Sequence, residues 1–203
     1  MKIICIGRNY AEHAHELNNP LPMEPVVFIK PDSSILIGNN PFFIPDFSKN
    51  VQYELELTVK INRLGKNIEE QFAHKYYDQV GLGLDFTARD VQEELKSKGL
   101  PWEKAKAFDG SAAIGDFISK FELIEPANWT FYLLKNQEKV QEGNPSNMLF
   151  SIDRIIAEVS KYFTLKIGDV IFTGTPHGVG SISKEDILEG FLNGKRLLST
   201  RVK

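Results

Sequence analysis

Apolar residues fall along this chain in short runs and in alternation more often than at helical spacing. Residues 2–6 read as a strand, after which Gly7 turns the chain into a helix over about residues 10–17 that Pro20 and Pro22 end. Short β-rich runs follow at 26–30 and 34–37, punctuated by Pro31-Asp32 and by the turn cluster Gly38-Asn39-Asn40-Pro41. Residues 51–61 alternate long enough to predict one continuous strand, with Tyr53, Leu55 and Leu57 on one face and Glu54 and Glu56 on the other. A strand over 79–84 feeds a helix marked at both ends, by Thr87 and Asp90 in a capping-box arrangement and by Gly99 and Pro101. Strands resume around 118–123, 130–134 and 139–141, and Ile152, Ile155, Ile156 and Val159 then share one face of a helix over about 151–161. A strand at 169–173, a glycine-rich loop from Gly174 to Gly180 and a β-like tail after Gly190 complete the pattern. No repeat, low-complexity tract or linker interrupts it, so the expected architecture is one α+β domain over residues 1–203, built mostly of short mixed strands.

Composition narrows the function. A chain of 203 residues with 42% hydrophobic content can bury a sizeable core without staples. The single cysteine, Cys5, has no internal disulfide partner, which points to a reducing compartment and an inert core thiol. Twenty-four basic against twenty-seven acidic residues, with no basic stripe, exclude nucleic acid as the expected partner. The apolar start at residues 3–6 is too short for a signal-peptide core, and no stretch nears the ~20 apolar residues that span a bilayer. No membrane partner is expected, and the cytoplasm is the expected compartment.

The candidate chemistry lies in acidic residues at strand positions. Glu54 and Glu56 are two apart in an alternating run, so both carboxylates project from one face, roughly 7 Å apart along the chain. The same pattern also serves as the solvated face of a strand. Asp85 follows a later strand, where it can complete an oxygen-only site or simply cap the next helix. Three carboxylates with no histidine or thiolate beside them are hard ligands, suited to Mg²⁺ or Mn²⁺, with Ca²⁺ possible in their place. Arg89 and Gln92 share a face with Asp85 if the helix extends back that far, and Lys106 lies in an aromatic-flanked segment. His13 and Glu16, three apart on the first helix, can meet as an imidazole and its orienting carboxylate, although such pairs are common as surface decoration. His15, His74 and His177 have no carboxylate at helical spacing and read as surface or loop residues. The loop at 174–180 lacks the signature of a phosphate or dinucleotide loop, yet its glycines can offer backbone N–H groups to an anion.

Taken together, Gly7-Arg8-Asn9-Tyr10-Ala11-Glu12-His13, Glu54-Leu55-Glu56-Leu57, Asp85-Phe86-Thr87-Ala88-Arg89-Asp90, Leu100-Pro101-Trp102 leading to Lys106, and Gly168-Asp169-Val170-Ile171-Phe172-Thr173-Gly174-Thr175-Pro176 resemble one family in order and spacing. That family is the fumarylacetoacetate hydrolase family, and within it the short acylpyruvase and oxaloacetate decarboxylase branch. The resemblance implies a mixed β-sandwich roll, a bound Mg²⁺ or Mn²⁺ and a homodimer. It assigns Glu54, Glu56 and Asp85 as metal ligands, His13 and Glu16 to a lid helix that activates water, and Lys106 and Gln92 to the reacting oxygens. Arg89 and Thr175 become substrate-pocket residues. The SH3-like N-terminal domain of the true fumarylacetoacetases has no counterpart in the match, so that activity is not expected. The activity expected first is divalent-metal-dependent cleavage of a C–C bond in a small 2-oxo acid, as acylpyruvate hydrolase or oxaloacetate decarboxylase. Oxaloacetate tautomerase or 2-hydroxyhepta-2,4-diene-1,7-dioate isomerase activity is the alternative, and a non-catalytic metal-stabilised binding protein a further one. A proline-rich exit over residues 18–25 would let the lid helix move.

Overall fold

Alternation and short apolar runs produce sheets that curl on one another. The computed structural model describes residues 1–16, 20–37, 40–123 and 128–203. Its strands are β1 (Ile3–Gly7), β2 (Val26–Lys30), β3 (Ile35–Ile37), β4 (Val51–Tyr53), β5 (Leu55–Ile61), β6 (Tyr77–Asp85), β7 (Thr87–Ala88), β8 (Ala112–Ser119), β9 (Phe131–Lys135), β10 (Glu138–Gly143), β11 (Val170–Phe172), β12 (Gly180–Ser181), β13 (Ile187–Leu192) and β14 (Lys195–Arg201). The helices are α1 (Ala11–Glu16), α2 (Glu70–Ala73), α3 (Arg89–Ser97), α4 (Glu103–Lys106) and α5 (Ile152–Tyr162). A seven-stranded sheet runs β2-β1-β11-β5-β6-β8-β3, with the β1/β11 and β3/β8 pairs parallel and the others antiparallel. A second sheet, β10-β9-β13-β14, is antiparallel throughout, and a small third sheet joins β12, β4 and β7. This is the mixed, mostly β roll of the α+β class that the sequence predicts.

The core lies between the two larger sheets. Leu55, Leu57, Leu82 and Leu84 of β5 and β6 are fully buried in one cluster with Phe131, Leu133, Leu188 and Leu192 of β9 and β13. Each such side chain contributes about 1.5–3 kcal/mol relative to exposure. Behind the seven-stranded sheet a smaller cluster holds Ile3, Cys5, Ala112, Val170 and Phe172. Covered on both sides, these central strands read as near-continuous apolar runs. α5 is capped by Ser151, whose Oγ accepts from Arg154 N at 3.2 Å. α3 ends where Gly99 adopts φ +64°, as the Gly99 and Pro101 signals require.

Three local expectations are corrected. The strand expected over 51–61 is broken at Glu54, with β4 pairing in the small sheet and β5 in the large one. The capping box at Thr87 and Asp90 does not form. α3 starts at Arg89 with no side-chain cap, while Asp90 accepts from Ser48 Oγ at 2.6 Å and Lys49 N at 2.8 Å. Both groups of the expected box thus serve tertiary contacts. The strand expected at 118–123 lies at β8, because β6 pairs along it from Ala112 to Ser119 and β3 pairs with Ala112 to Ile114, partners that small residues alone do not signal. The Gly38-Asn39 half of the turn cluster and the first part of the lid exit, residues 17–19, lie outside the described residues.

Close packing at the sheet centre depends on Gly83, which pairs with Glu56 of β5 and Ile114 of β8. A Cβ there would stand 2.4 Å from the Phe172 ring. Overpacking of this kind costs about 1–3 kcal/mol. Gly83→Ala is therefore expected to lower the unfolding free energy by that amount in urea titrations, with Phe172→Leu in the same chain recovering part of it. Unchanged stability in Gly83→Ala would show that the ring has room to move aside.

Candidate active site

Two bends build the floor of a cleft. The chain leaves the small sheet for the large one at Glu54, and β6 returns to it through Phe86 as β7, so β4 and β7 pair as β5 and β6 do. Asp85 N donates to Glu54 O at 2.9 Å, tying the bends together. At the Glu54 bend, Leu55 N donates to Gln141 Oε1 at 2.8 Å and Thr175 Oγ1 donates to Leu55 O at 2.8 Å. Gln141 Nε2 in turn donates to Thr175 Oγ1 at 2.9 Å. The result places Glu54, Glu56 and Asp85, each almost fully buried, with one oxygen apiece inside a 4.8 Å circle. The solvated-face reading of Glu54 and Glu56 is overturned, and so is the helix-cap reading of Asp85, which ends β6.

Cations crowd two of the three carboxylates. Arg89 Nη2 lies 2.5 Å from Glu54 Oε1, and its other nitrogens donate to Gln92 Oε1 at 2.6 Å and Gln52 Oε1 at 2.7 Å. Lys106 Nζ donates to Glu54 Oε2 at 2.7 Å, Asp85 Oδ2 at 2.8 Å and Thr87 Oγ1 at 2.6 Å. Burial opposes ionisation of Glu54, but Lys106, Arg89 and then His13 outweigh it and hold the carboxyl well below the usual range. Burial likewise opposes the Lys106 charge, and Asp85 and Glu54 overcome it, so that its pKa is raised. Glu56 is different. Its Oε2 accepts from Gly174 N at 2.6 Å, and among the described residues no cation pairs with it. Burial, then Asp85 and Glu54, push its pKa well above the carboxylate range.

That charge distribution fits a divalent cation. Glu56 lacks a counter-ion, and Asp85 Oδ1, 2.7 Å from Lys30 Nζ but out of hydrogen-bonding alignment, keeps a buried lone pair unused. With only oxygen donors on offer, a hard ion is the chemical match.

The remaining expected residues surround the same narrow cleft, which His13, Arg89, Gln92, Lys106 and Thr175 line along with the three carboxylates. His13 is buried, and its Nδ1 lies 3.0 Å from Glu16 Oε2, so the pair expected on α1 forms. Glu16 Oε1 accepts from Gly178 N at 3.1 Å, which docks α1 on the glycine-rich loop. His177 is the exposed loop residue expected, with no carboxylate at helical spacing, and it pairs instead with distant Glu12, its Nδ1 2.7 Å from Glu12 Oε2. The helix does not extend back to Asp85 as the shared-face argument supposes, yet Arg89 and Gln92 still meet the site because β7 turns α3 over it.

Lys30 is the residue that sequence patterning does not find. It is fully buried at the end of β2, pairs with Asp85, and donates to Lys106 O, to Ser111 O at 3.0 Å and to Ser111 Oγ at 3.0 Å. The one available signal is a lysine closing an apolar run before Pro31, which is a weak one. Asn9 is likewise unmarked. It donates to Phe150 O at 3.0 Å and Thr173 O at 2.7 Å and accepts from Phe150 N at 2.7 Å, and it leaves no room for a Cβ at Gly174, 2.7 Å from its own. The glycine at 174, with φ +103°, is what lets its N–H reach Glu56.

The unpaired Glu56 charge has a thermodynamic consequence. Its folded pKa exceeds the unfolded value, so the metal-free fold loses stability as pH rises from the unfolded value through the folded one. A divalent cation should therefore raise Tm more above neutral pH than in acid. Glu56→Gln should stabilise the metal-free protein by about 1 kcal/mol or more, roughly 2–4 °C per kcal/mol at this length, and should abolish the Tm response to Mg²⁺ or Mn²⁺. A full metal response in Glu56→Gln would remove Glu56 from the ligand set.

Known proteins match this arrangement along its whole length. Residues 2–200 match the family model described as fumarylacetoacetate (FAA) hydrolase C-terminal. The chain is 42% identical over 202 residues to oxaloacetate tautomerase YcgM of Escherichia coli K12, covering 99% of this chain and 92% of that protein. It is also 42% identical over 192 residues to the human mitochondrial oxaloacetate tautomerase FAHD1, covering 95% and 87%. The crystal structure of fumarylpyruvate hydrolase from Pseudomonas aeruginosa in complex with Mn²⁺ and pyruvate superimposes with a TM-score of 0.93 at 32% identity, covering 100% of this chain and 89% of that one. The chain belongs to the fumarylacetoacetate hydrolase family.

Proposed function

We propose that this protein interconverts the enol and keto forms of a small 2-oxo acid of the oxaloacetate type, using a divalent cation, Mg²⁺ or Mn²⁺, held by Glu54, Glu56 and Asp85. The observation that carries the reading is the buried His13, held at Nδ1 by Glu16, on the same cleft as the three carboxylates and Lys106. The oxaloacetate tautomerase relatives at 42% identity put proton transfer ahead of the C–C cleavage expected from the sequence. When bound, the cation supplies positive charge for the 1-carboxylate and 2-oxo oxygens of the substrate.

Ketonisation gives up the C2 hydroxyl proton to solvent as the enol binds and delivers one proton to C3. Lys106, whose charge is stabilised by Asp85 and Glu54, sets that positive charge against the C2 oxygen while negative charge develops on it. With Glu16 holding Nδ1, the Nε2 of His13 is the nitrogen that gives or takes the proton at C3. Gln92, fixed by Arg89, offers its amide N–H to the same oxygens. α1 over the cleft keeps bulk water from the enolate. The homodimer implied by the family belongs to the same proposal.

A second reading is hydrolysis of an acylpyruvate, favoured by the fumarylpyruvate hydrolase neighbour. The same His13–Glu16 pair would then direct water at the distal carbonyl, and cleavage would release the enolate that Lys106 stabilises. Both readings make His13 the proton-transfer group, and decarboxylation of oxaloacetate needs none. His13→Ala is therefore expected to slow oxaloacetate tautomerisation, followed by the loss of enol absorbance, by about 10²–10⁴-fold. It should spare decarboxylation, whereas Lys106→Met impairs both. Equal loss of tautomerisation and decarboxylation in His13→Ala, with the metal-induced Tm rise intact, would make His13 a positioning residue and sink the assignment.

A further inference from the structure

The cleft carries more positive charge than its carboxylates use. Arg89 and Lys106 are both paired to them, but Arg8 and Lys96 line the same cleft with no carboxylate or hydrogen-bond partner among the described residues. What they do contact is an aromatic ring: Lys96 Nζ lies 5.5 Å, and Arg8 Cζ 6.0 Å, from the centroid of Trp102. Burial first, and then repulsion from Arg89, Arg8 and Lys106, push the Lys96 pKa down to about 8. The missing component is an anion.

Both cations are held in place by the fold. Arg89, Gln92 and Lys96 recur at i, i+3 and i+7 along α3, so the face that meets Glu54 continues to Lys96. Arg8 has φ +60°, a left-handed conformation that a non-glycine residue rarely adopts. The three hydrogen bonds of the neighbouring Asn9 side chain fix the turn that contains it. Strain of this sort persists where surrounding structure over-determines it, and here the strained residue lines the cleft.

We propose that Arg8 and Lys96, beside the ring of Trp102, form the subsite for the second carboxylate of a dicarboxylic 2-oxo acid, and so make the protein select diacids over pyruvate-like monoacids. This rests on the function proposed above, which puts the first carboxylate and the 2-oxo oxygen at Glu54, Glu56 and Asp85. Two cations without carboxylates, one of them electrostatically strained, gain most from a ligand carrying a second negative charge. The guanidinium and the ammonium supply the donors for it.

Calorimetric binding to the Mg²⁺-loaded full chain tests this with pyruvate as the monoacid and 2-oxoglutarate as the diacid, alongside KM for oxaloacetate. Lys96→Gln and Arg8→Gln are each expected to weaken the diacid about 10- to 100-fold, the range for a lost hydrogen bond to a charged group, and to change pyruvate affinity by less than about 2-fold. Lys96→Arg should restore diacid affinity. Lys98→Gln removes the same charge from the exposed side of α3 and should weaken neither ligand. Equal weakening of both ligands, no weakening of either, or a wild type that does not prefer the diacid would each overturn the subsite. If wild type binds the diacid selectively but turns over no oxaloacetate, the reaction proposed above fails and the subsite stands.

Discussion

Three carboxylates inside 4.8 Å of one another repel, at an effective dielectric of about 20, by on the order of 3 kcal/mol per pair. The local structure is organised around containing that repulsion. Lys30 and Lys106 reach Asp85, Lys106 and Arg89 reach Glu54, and each of these cations comes from a different element: β2, α4 and α3. Among the described residues, Glu56 meets nothing stronger than the Gly174 N–H. A buried carboxylate with no cation in contact gives the site affinity for one, and the fold bears the cost until it arrives.

The sheets explain how such a cluster can exist at all. β5 and β6 are covered on both faces, so side chains at their ends stay buried, while the paired bends at Glu54 and Phe86 open the end of the large sheet into a cleft. Phe86 fills the space beneath, stacked on Phe42 at 3.9 Å. Backbone groups freed at the bend are taken up by Gln141 and Thr175, which come from β10 and the loop after β11. Thr175 is therefore a brace for the bend as well as a wall of the cleft. Removing a single brace would leave a buried backbone group unsatisfied, which is why polar residues recur at this point of an apolar core.

The roof is tied to the floor through one loop. Gly174 donates to Glu56, Thr175 holds the bend, Gly178 donates to Glu16, and His177 meets Glu12. The loop after β11 thus couples the carboxylate that most needs a counter-ion to the helix that carries His13. Asn9, packed against Gly174 and bonded to Thr173, closes the circuit on the other side and fixes Arg8 in the same stroke.

Side-chain periodicity and local punctuation were enough to determine the mixed β character, the helix over about 151–161 with its apolar face, the stop of α3 at Gly99, and the placement of Glu54 and Glu56 on one face. Local geometry governs each of these: a period of two, a period of 3.6, a glycine able to take positive φ. His13 and Glu16 were legible for the same reason, being one helical turn apart. The break at Glu54, the burial of its carboxylate, the diversion of Thr87 and Asp90 from capping to tertiary contacts, and the arrival of Lys30 at Asp85 were not. Lys30 and Asp85 are 55 positions apart, and nothing in either neighbourhood marks the other. Whether a charged residue is solvated or buried depends on which strands come to cover it, and that is settled only when distant segments pack, because the desolvation that gives these side chains their chemistry does not exist in the isolated strand.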